Sequence, residues 1–227
     1  MNKKIKNILE KKNKSKIVCL TAYSKNIAKI LDNYCDVILV GDSMANVLYG
    51  LKSTHKITLE NIIQHTLSVK MAIKKSLLVV DMPKNSYNNV KKAEKNAKLI
   101  IKTTGCDAVK IESNNKNFMI IEKLVKKKIF VMGHIGFTPQ FKKKFKVEGE
   151  TADEANKLIN EALLIEKAGA FAIVLECISP RTAKLITAKL KIPTIGIGSS
   201  SYCDGQILVT DDMLGISGFY PKFVKKY

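Results

Sequence analysis

The sequence has no long apolar run, no CxxC or CxxH motif and almost no arginine. None of its apolar stretches approaches the roughly 20 residues that a helix needs to cross a bilayer, which excludes a membrane-embedded helical bundle. The N-terminal stretch MNKKIKNILEKKNKSK contains no apolar core and no small-residue cleavage site, so we expect no secretory signal. With 227 residues, 46% of them apolar, the chain can bury a core without disulfides or a metal.

The cysteines are odd in number and scattered along the chain. They are Cys19, Cys35, Cys106, Cys177 and Cys203. Because no two of them have the spacing of a metal or redox motif, we expect reduced thiols, which are typical of the cytoplasm. The sequence therefore predicts a cytoplasmic protein.

The formal net charge of +19 raises the question of nucleic-acid binding. Arg181 is the only arginine, however, and arginine is the residue that binds phosphates and guanines through two parallel hydrogen bonds. The lysines are spread along the whole chain, with short clusters at 126–128 and 142–144. We interpret this distribution as a drift in amino-acid composition that places lysines on solvent-exposed faces. We therefore expect no specific nucleic-acid partner.

Eight short apolar runs, rich in valine and isoleucine, alternate with longer amphipathic stretches. The runs lie at 17–22, 36–41, 77–82, 107–112, 129–134, 171–176, 192–198 and 206–210. Helical patterns lie between them, at 24–34, 58–73, 88–103, 115–128, 151–168 and 180–190. Continuous apolarity indicates strands buried on both faces, and this alternation predicts a parallel α/β fold, a short (β/α)₈ TIM barrel.

We predict one domain over residues 1–227, with a helix within residues 2–12 that closes the bottom of the barrel. Thr58 with Asn61, and Thr151 with Glu154, are placed to begin helices, the second pair as a capping box.

Polar residues follow the predicted strands where a barrel enzyme places its chemistry, at their carboxyl ends. They are Asp42, Ser43, Asp81, Lys110, Glu112, His134 and Glu176. Lys110 and Glu112 are two residues apart, so in a strand they point the same way. Carboxylates without a Cys/His set favour a hard ion, Mg²⁺ before Zn²⁺. Acids at strand ends can also cap helices or pair with lysines, but four of them together favour a site.

Ten stretches of the sequence resemble the ketopantoate hydroxymethyltransferase family, which acts in pantothenate biosynthesis. They are LTAYS (20–24), DVILVGDS (36–43), STxxITLE (53–60), VVDMP (79–83), GCDAVKIE (105–112), VMGHIGFTPQ (131–140), EKAGAFAIVLEC (166–177), IPTIGIG (192–198), CDGQILVTDDMLG (203–215) and PKFVK (221–225). They cover most of the chain in the order of the family, which makes the combination highly specific.

The resemblance implies a function as well as the barrel. It implies transfer of a hydroxymethyl group from 5,10-methylenetetrahydrofolate to 3-methyl-2-oxobutanoate, giving 2-dehydropantoate. Mg²⁺ would be held by Asp42, Asp81 and Glu112, the last through water. Ser43, Asp81 and Lys110, with Asp42, would bind the 2-oxo acid, and Glu176 would accept the proton. The family also implies a homo-oligomer, commonly a decamer. Its usual last helical segment would follow PKFVK (221–225), so the C-terminus of this chain is expected to be truncated.

Several points stay open at this stage. His134 either touches the substrate or orients a loop. Lys84 stands where the family usually has Phe, beside Asp81. An enzyme of the phosphoenolpyruvate-mutase or isocitrate-lyase type, also a Mg²⁺-dependent barrel, is one alternative. A basic binding protein that kept the fold with weakened catalysis is the other.

Overall fold

The computed structural model describes residues 2–113, 117–218 and 221–225, and its strands form a closed parallel barrel in the order β1-β2-β3-β4-β5-β6-β7-β8. The strands are β1 (Ile17–Thr21), β2 (Val37–Val40), β3 (Leu77–Asp81), β4 (Ala108–Glu112), β5 (Val131–Gly136), β6 (Ala172–Glu176), β7 (Thr194–Ile197) and β8 (Gly205–Leu208). The predicted (β/α)₈ barrel is confirmed, because each apolar run of the sequence forms one of these strands.

Helices alternate with the strands. They are α1 (Lys3–Glu10), α2 (Lys25–Leu31), α3 (Met44–Val47), α4 (Leu59–Lys70), α5 (Val90–Thr104), α6 (Phe118–Lys126), α7 (Ala152–Lys167), α8 (Pro180–Lys189) and α9 (Thr210–Met213), with a 3₁₀ turn at Thr54–Lys56. The short helices α3 and α9 were not predicted. The start of the helix predicted at 115–128 lies outside the described residues.

The chain divides into two compact units. One contains Met1–Ile17 and Val109–Gln206, and the other contains Val18–Ala108 and Ile207–Tyr227. The expectation of a single domain over 1–227 stays a prediction.

In the second unit, β2 and β3 pair in parallel from Val37↔Leu77 to Val40↔Val80. Both strands are buried throughout, as their continuous apolarity predicts. The carboxylate of Asp32, which follows α2, accepts hydrogen bonds from the amides of Lys74, Lys75 and Ser76, just before β3. These bonds attach the end of α2 to the beginning of that strand.

In the first unit, the helix expected near the N-terminus is α1, which buries Ile5 and Ile8. After it, the Lys12 ammonium donates to Asp204 at 2.8 Å, in an ion pair whose side chains are 9% and 4% exposed. Asp204 precedes β8, so this pair ties the segment after α1 to the amino-terminal end of that strand. That is the end at which a closing helix was expected.

The helices predicted to begin after Thr58 and Thr151 do begin there, with one difference in their capping bonds. Thr58 and Asn61 form a complete capping box at α4. At α7, Thr151 accepts the amide of Glu154, but the Glu154 carboxylate accepts from the amides of Gly149 and Glu150. The predicted capping box therefore has only one of its two bonds, because the glutamate binds the preceding loop instead.

All five cysteines are buried, and none of them forms a disulfide. Burial raises the pKa of Cys35 and of Cys106 to about 11, and that of Cys177 to about 12. It also raises the pKa of Cys203, against hydrogen bonds from Thr187 and Thr194. The reduced state of these thiols stays a prediction from the sequence.

Candidate active site

The first group of predicted site residues, the Asp42–Asp81 cluster, consists of Asp42, Ser43 and Asp81. Asp42 and Ser43 follow the end of β2, while Asp81 ends β3. The amide of Asp42 donates to Oδ2 of Asp81 at 3.1 Å, and both aspartates are buried. The structure therefore brings the main chain of Asp42 into contact with the carboxylate of Asp81, and these are two of the residues that the sequence proposed as metal ligands.

Gly41 makes this close approach possible. A Cβ atom at this position would lie 2.8 Å from Oγ of Ser43 and 3.4 Å from Oδ2 of Asp81. Any side chain would therefore crowd the serine hydroxyl and press on the carboxylate. The glycine in the GDS stretch keeps this space open for the polar groups beside it.

The phenol of Tyr23, which lies two residues after β1, joins this cluster. Its hydroxyl is 2.8 Å from Oγ of Ser43, and Tyr23 is buried whereas Ser43 is half-buried. Burial raises the pKa of Tyr23 far above its usual range, against the opposing effect of the Ser43 hydrogen bond. The phenol therefore stays protonated and can donate at any physiological pH.

A second layer of contacts fixes the backbone of Tyr23. Its carbonyl oxygen lies 2.7 Å from Nδ1 of His65, so Nδ1 carries the hydrogen of this bond. Nε2 of the same ring lies 2.9 Å from the hydroxyl of Tyr49. His65, which belongs to α4, therefore holds Tyr23 through its main chain.

The second group of predicted site residues, the Glu112–His134 cluster, consists of Lys110, Glu112, His134 and Glu176. Glu112 pairs with His134 between β4 and β5, and Glu176 pairs with Gly136 between β5 and β6. His134 has Nε2 3.1 Å from Oε2 of Glu176 and Nδ1 3.8 Å from Oε1 of Glu112. One imidazole therefore lies between two carboxylates.

His134 is uncharged at neutral pH. Its pKa is well below the usual range, first because the ring is buried and then because of the positive charges of Lys110 and Lys142. The contact with Glu176 is short but poorly aligned, and neither ring nitrogen forms a well-directed hydrogen bond with the residues that the structure describes. Lys110 and Glu112 are alternate residues of β4, so their side chains project from the same face of that strand.

The carboxylates on either side of His134 are held differently. Glu112 accepts the amide of Gln140 at 2.9 Å and is almost fully buried. The side chain of Glu176 is 13% exposed, against 2% for those of Glu112 and His134. Glu176 is therefore the most exposed member of this trio.

The backbone around Glu176 is tightly constrained. Its carbonyl oxygen accepts the amide of Phe137 at 2.8 Å, and a Cβ atom at Gly136 would lie 2.1 Å from that oxygen. The next residue, Cys177, has a φ of +52°, a left-handed conformation that is uncommon for a residue other than glycine. These contacts leave the Glu176 backbone little freedom to shift.

The donor chemistry of the Asp42–Asp81 cluster fits Mg²⁺. This ion is usually held by one or two carboxylates, with water and substrate oxygens at its other positions. In residues 2–113, 117–218 and 221–225, no group of three or more His, Cys, Asp and Glu side chains is arranged as a metal site. Asp42 and Asp81 each carry a carboxylate, and the amide of Asp42 donates to the carboxylate of Asp81 beside Gly41, whose missing side chain leaves room there.

Lys84, the residue that departs from the family pattern, lies within 3.1 and 3.2 Å of the two ring nitrogens of His55. His55 belongs to the 3₁₀ turn, so Lys84 lies against that turn.

Three contributors were not identified from the sequence: Tyr23, Gln140 and Lys142. Tyr23 carried a usable signal, because it directly follows a predicted strand within the LTAYS stretch. Gln140 acts through its backbone amide, and Lys142 through its charge and its bonds to Gly136 and Glu148. A residue type alone does not disclose such roles.

Within the described ranges, no helix combines the length and the apolar character that crossing a membrane requires.

The chain is similar to proteins of known family and fold. The sequence model of the ketopantoate hydroxymethyltransferase family matches residues 2–227. The 3-methyl-2-oxobutanoate hydroxymethyltransferase of Pelagibacter ubique is 54% identical over 227 residues, which are 100% of this chain and 88% of the relative. The protein of the same name from Anaplasma marginale is 49% identical over 226 residues, 98% of this chain and 82% of the relative.

A solved structure shares the fold at much lower identity. The phosphoenolpyruvate phosphomutase from Streptomyces platensis subsp. rosaceus superposes with a TM-score of 0.72 at 13% identity, over 95% of this chain and 83% of that one. At this identity the likeness shows the fold alone.

Proposed function

Because the chain belongs to the ketopantoate hydroxymethyltransferase family and is therefore a transferase, we propose that it moves a hydroxymethyl group from 5,10-methylenetetrahydrofolate to 3-methyl-2-oxobutanoate. The product would be 2-dehydropantoate. The observation that carries the proposal is the match to the family over residues 2–227, which includes every residue of both clusters. The resemblance seen in the sequence is thereby confirmed, while the donor and the metal are our proposals.

Binding of the 2-oxo acid is assigned to the Asp42–Asp81 cluster with Lys110. Asp42 and Asp81, together with Glu112 through water, would hold Mg²⁺. When bound, this ion would supply Lewis acidity that makes the hydrogen on the carbon next to the ketone more acidic. The hydroxyl of Ser43 would donate to the substrate carboxylate, and the Lys110 ammonium would offset its negative charge.

Proton removal is assigned to Glu176. Its carboxylate is the most exposed of the trio around His134, and its backbone is rigidly held, as a general base requires. Glu176 would take the proton from C3 of the 2-oxo acid. C3 would then bond to the methylene carbon of the folate, and both bonds from that carbon to folate nitrogens would break. Water would supply the hydroxyl oxygen of the product, and the two nitrogens would take up the proton from C3 and one proton of the water.

His134 is proposed to contact the substrate from its position between Glu112 and Glu176. Because its imidazole is neutral, it adds no positive charge beside the Glu176 carboxylate and leaves that carboxylate able to accept a proton. It can also donate one hydrogen bond, through whichever ring nitrogen carries the hydrogen.

Cytoplasmic location and self-association complete the proposal. Five free thiols support a reducing compartment. The family resemblance supports a homo-oligomer, possibly a decamer, with the 2-oxo acid and the folate as its small-molecule partners.

The test is turnover by the purified full chain. It should convert 3-methyl-2-oxobutanoate and 5,10-methylenetetrahydrofolate to 2-dehydropantoate, followed by mass spectrometry, and should require Mg²⁺. Phosphoenolpyruvate, offered in parallel, should remain unchanged. Rearrangement of phosphoenolpyruvate would favour the mutase-type alternative, and binding of the 2-oxo acid without any transfer would favour a weakened binding protein.

A further inference from the structure

We propose that Tyr23 is a positioning residue of the substrate site, whose phenol orients the hydroxyl of Ser43 toward the 2-oxo acid. The inference rests on the proposed function, because it takes Ser43 as a substrate contact. It adds a residue that neither the sequence motifs nor the comparisons assigned.

The first observation is a difference in burial between the two hydroxyl groups. They are 2.8 Å apart, but Tyr23 is only 5% exposed whereas Ser43 is half-buried. A ligand can therefore reach the serine, while the phenol is covered. A role for Tyr23 through Ser43 fits this geometry better than direct contact with the substrate.

The second observation concerns the direction of the hydrogen bonds. Either hydroxyl of the Tyr23–Ser43 pair can donate to the other. If Tyr23 donates to Ser43, the serine oxygen is the acceptor of that bond, and the hydrogen of the Ser43 hydroxyl stays available for a carboxylate oxygen of the 2-oxo acid.

The third observation is that the main chain of Tyr23 is fixed independently of its phenol. His65 donates to its carbonyl oxygen at 2.7 Å, and His65 is itself in contact with Tyr49 at 2.9 Å. Removal of the phenol oxygen should therefore leave the backbone and the ring in place. The Tyr23→Phe variant then changes one hydrogen bond and little else.

The experiment measures steady-state kinetics and, separately, calorimetric binding of 3-methyl-2-oxobutanoate in the presence of MgCl₂. In Tyr23→Phe we expect KM and Kd for the 2-oxo acid to rise roughly five- to tenfold, the range for one lost hydrogen bond. We expect kcat to stay within about twofold, since the lost contact serves binding. Tyr34→Phe, which removes the hydroxyl of a tyrosine that is 75% exposed, is the matched control and should behave as wild type.

A double-mutant cycle separates positioning from other roles. Because Tyr23 is proposed to act through Ser43, the Tyr23→Phe change should have no further effect on Kd in a Ser43→Ala background. Equal effects in both backgrounds would overturn the positioning role, and so would wild-type affinity in Tyr23→Phe while wild type is active. A wild-type chain that binds no 2-oxo acid would contradict the proposed function and this inference together.

Discussion

Nε2 of His134 lies 3.1 Å from Oε2 of Glu176, at the carboxyl end of β6. The imidazole is neutral, so the pair is a carboxylate beside an uncharged ring and not an ion pair. A carboxylate without a counter-charge at this contact remains a competent proton acceptor. Replacement of Glu176 can therefore test whether this side chain removes the proton from the substrate.

In Glu176→Gln we expect the C3 hydrogen of 3-methyl-2-oxobutanoate to exchange with solvent deuterium about 10²–10⁴ times more slowly than in wild type. The amide keeps the size of the side chain but cannot accept the proton. Exchange is followed by NMR with Mg²⁺ and without folate, and Kd for the 2-oxo acid should change little.

Glu150→Gln is the control for this measurement, because Glu150 is an exposed glutamate outside both clusters. Wild-type exchange in Glu176→Gln, together with failure to form product, would move the role of Glu176 from proton removal to the transfer step.

In Asp81→Ala we expect loss of Mg²⁺-dependent turnover with the barrel still folded. Asp81 would supply one of two carboxylates to the ion, and no side chain can replace its oxygen at that position. Binding of Mn²⁺, measured by electron paramagnetic resonance in the absence of substrates, should weaken in parallel. Full wild-type activity in excess chelator would exclude the metal assignment, and Asp153→Asn, at an exposed acid, should change neither property.

Because of Asp32, the protein should become less stable as the pH falls into the acid range. Burial acts to raise the pKa of its carboxyl, but the amides of Ser76, Lys74 and Lys75 outweigh that effect and lower it. An aspartate in an unfolded chain titrates near pH 3.9, so this stabilisation is present above about pH 3.9 and is lost as pH falls through the lower folded value.

We therefore expect Asp32→Asn to lower the unfolding free energy by on the order of 2 kcal/mol at pH 7, since bonds to a charged acceptor are the stronger kind. Urea titrations at several pH values measure the difference, which should shrink steadily toward pH 2–3. A penalty that is the same at pH 7 and pH 3 would show that the charge of Asp32 is not what stabilises this junction.

The charge of +19 should give only electrostatic binding to nucleic acid. We expect weak association with a random DNA duplex at low salt, with an affinity that falls steeply as salt rises, because released counterions drive such binding. Fluorescence anisotropy over a salt series, with several unrelated duplexes, tests this. Tight binding that discriminates between sequences at physiological salt would contradict the drift interpretation.

Self-association is the last prediction, and it follows from the family resemblance. Sedimentation velocity over a range of protein concentrations should show an oligomer of this chain, with contacts made by barrel surfaces. A species that remains monomeric at the highest concentration would be incompatible with the proposal.

Most of the fold was readable because its strands are short, continuous apolar runs, which is what burial on both faces of a barrel requires. The ends of the elements were harder to predict, because a polar residue there can belong either to the strand or to the helix that follows it. The run predicted at 206–210 ends as a strand at Leu208, and Thr210 begins α9 with both its amide and its hydroxyl bonded to Thr21. Both hydrogen bonds join residues that are 189 positions apart, so no local pattern could indicate them.

In the candidate site, too, some features could be predicted from the sequence and others could not. The acids at strand ends were predictable, because the carboxyl end of a barrel strand is a fixed topological position. The role of Tyr23 was not predictable, although its position directly after a strand was visible, because that role depends on a hydroxyl 20 positions away. The neutral state of His134 depends on its burial and on lysines from other elements. That both clusters serve one reaction stays a prediction.

The five buried thiols have a practical consequence for anyone who works with this protein. A maleimide or disulfide reagent needs an exposed thiolate, and none of these groups is exposed in the native chain, while at least four also have a raised pKa. Labelling is therefore slow until the structure opens. Because the cysteines occur in both units, mass spectrometry of the labelled positions records which part opens first, without any introduced probe.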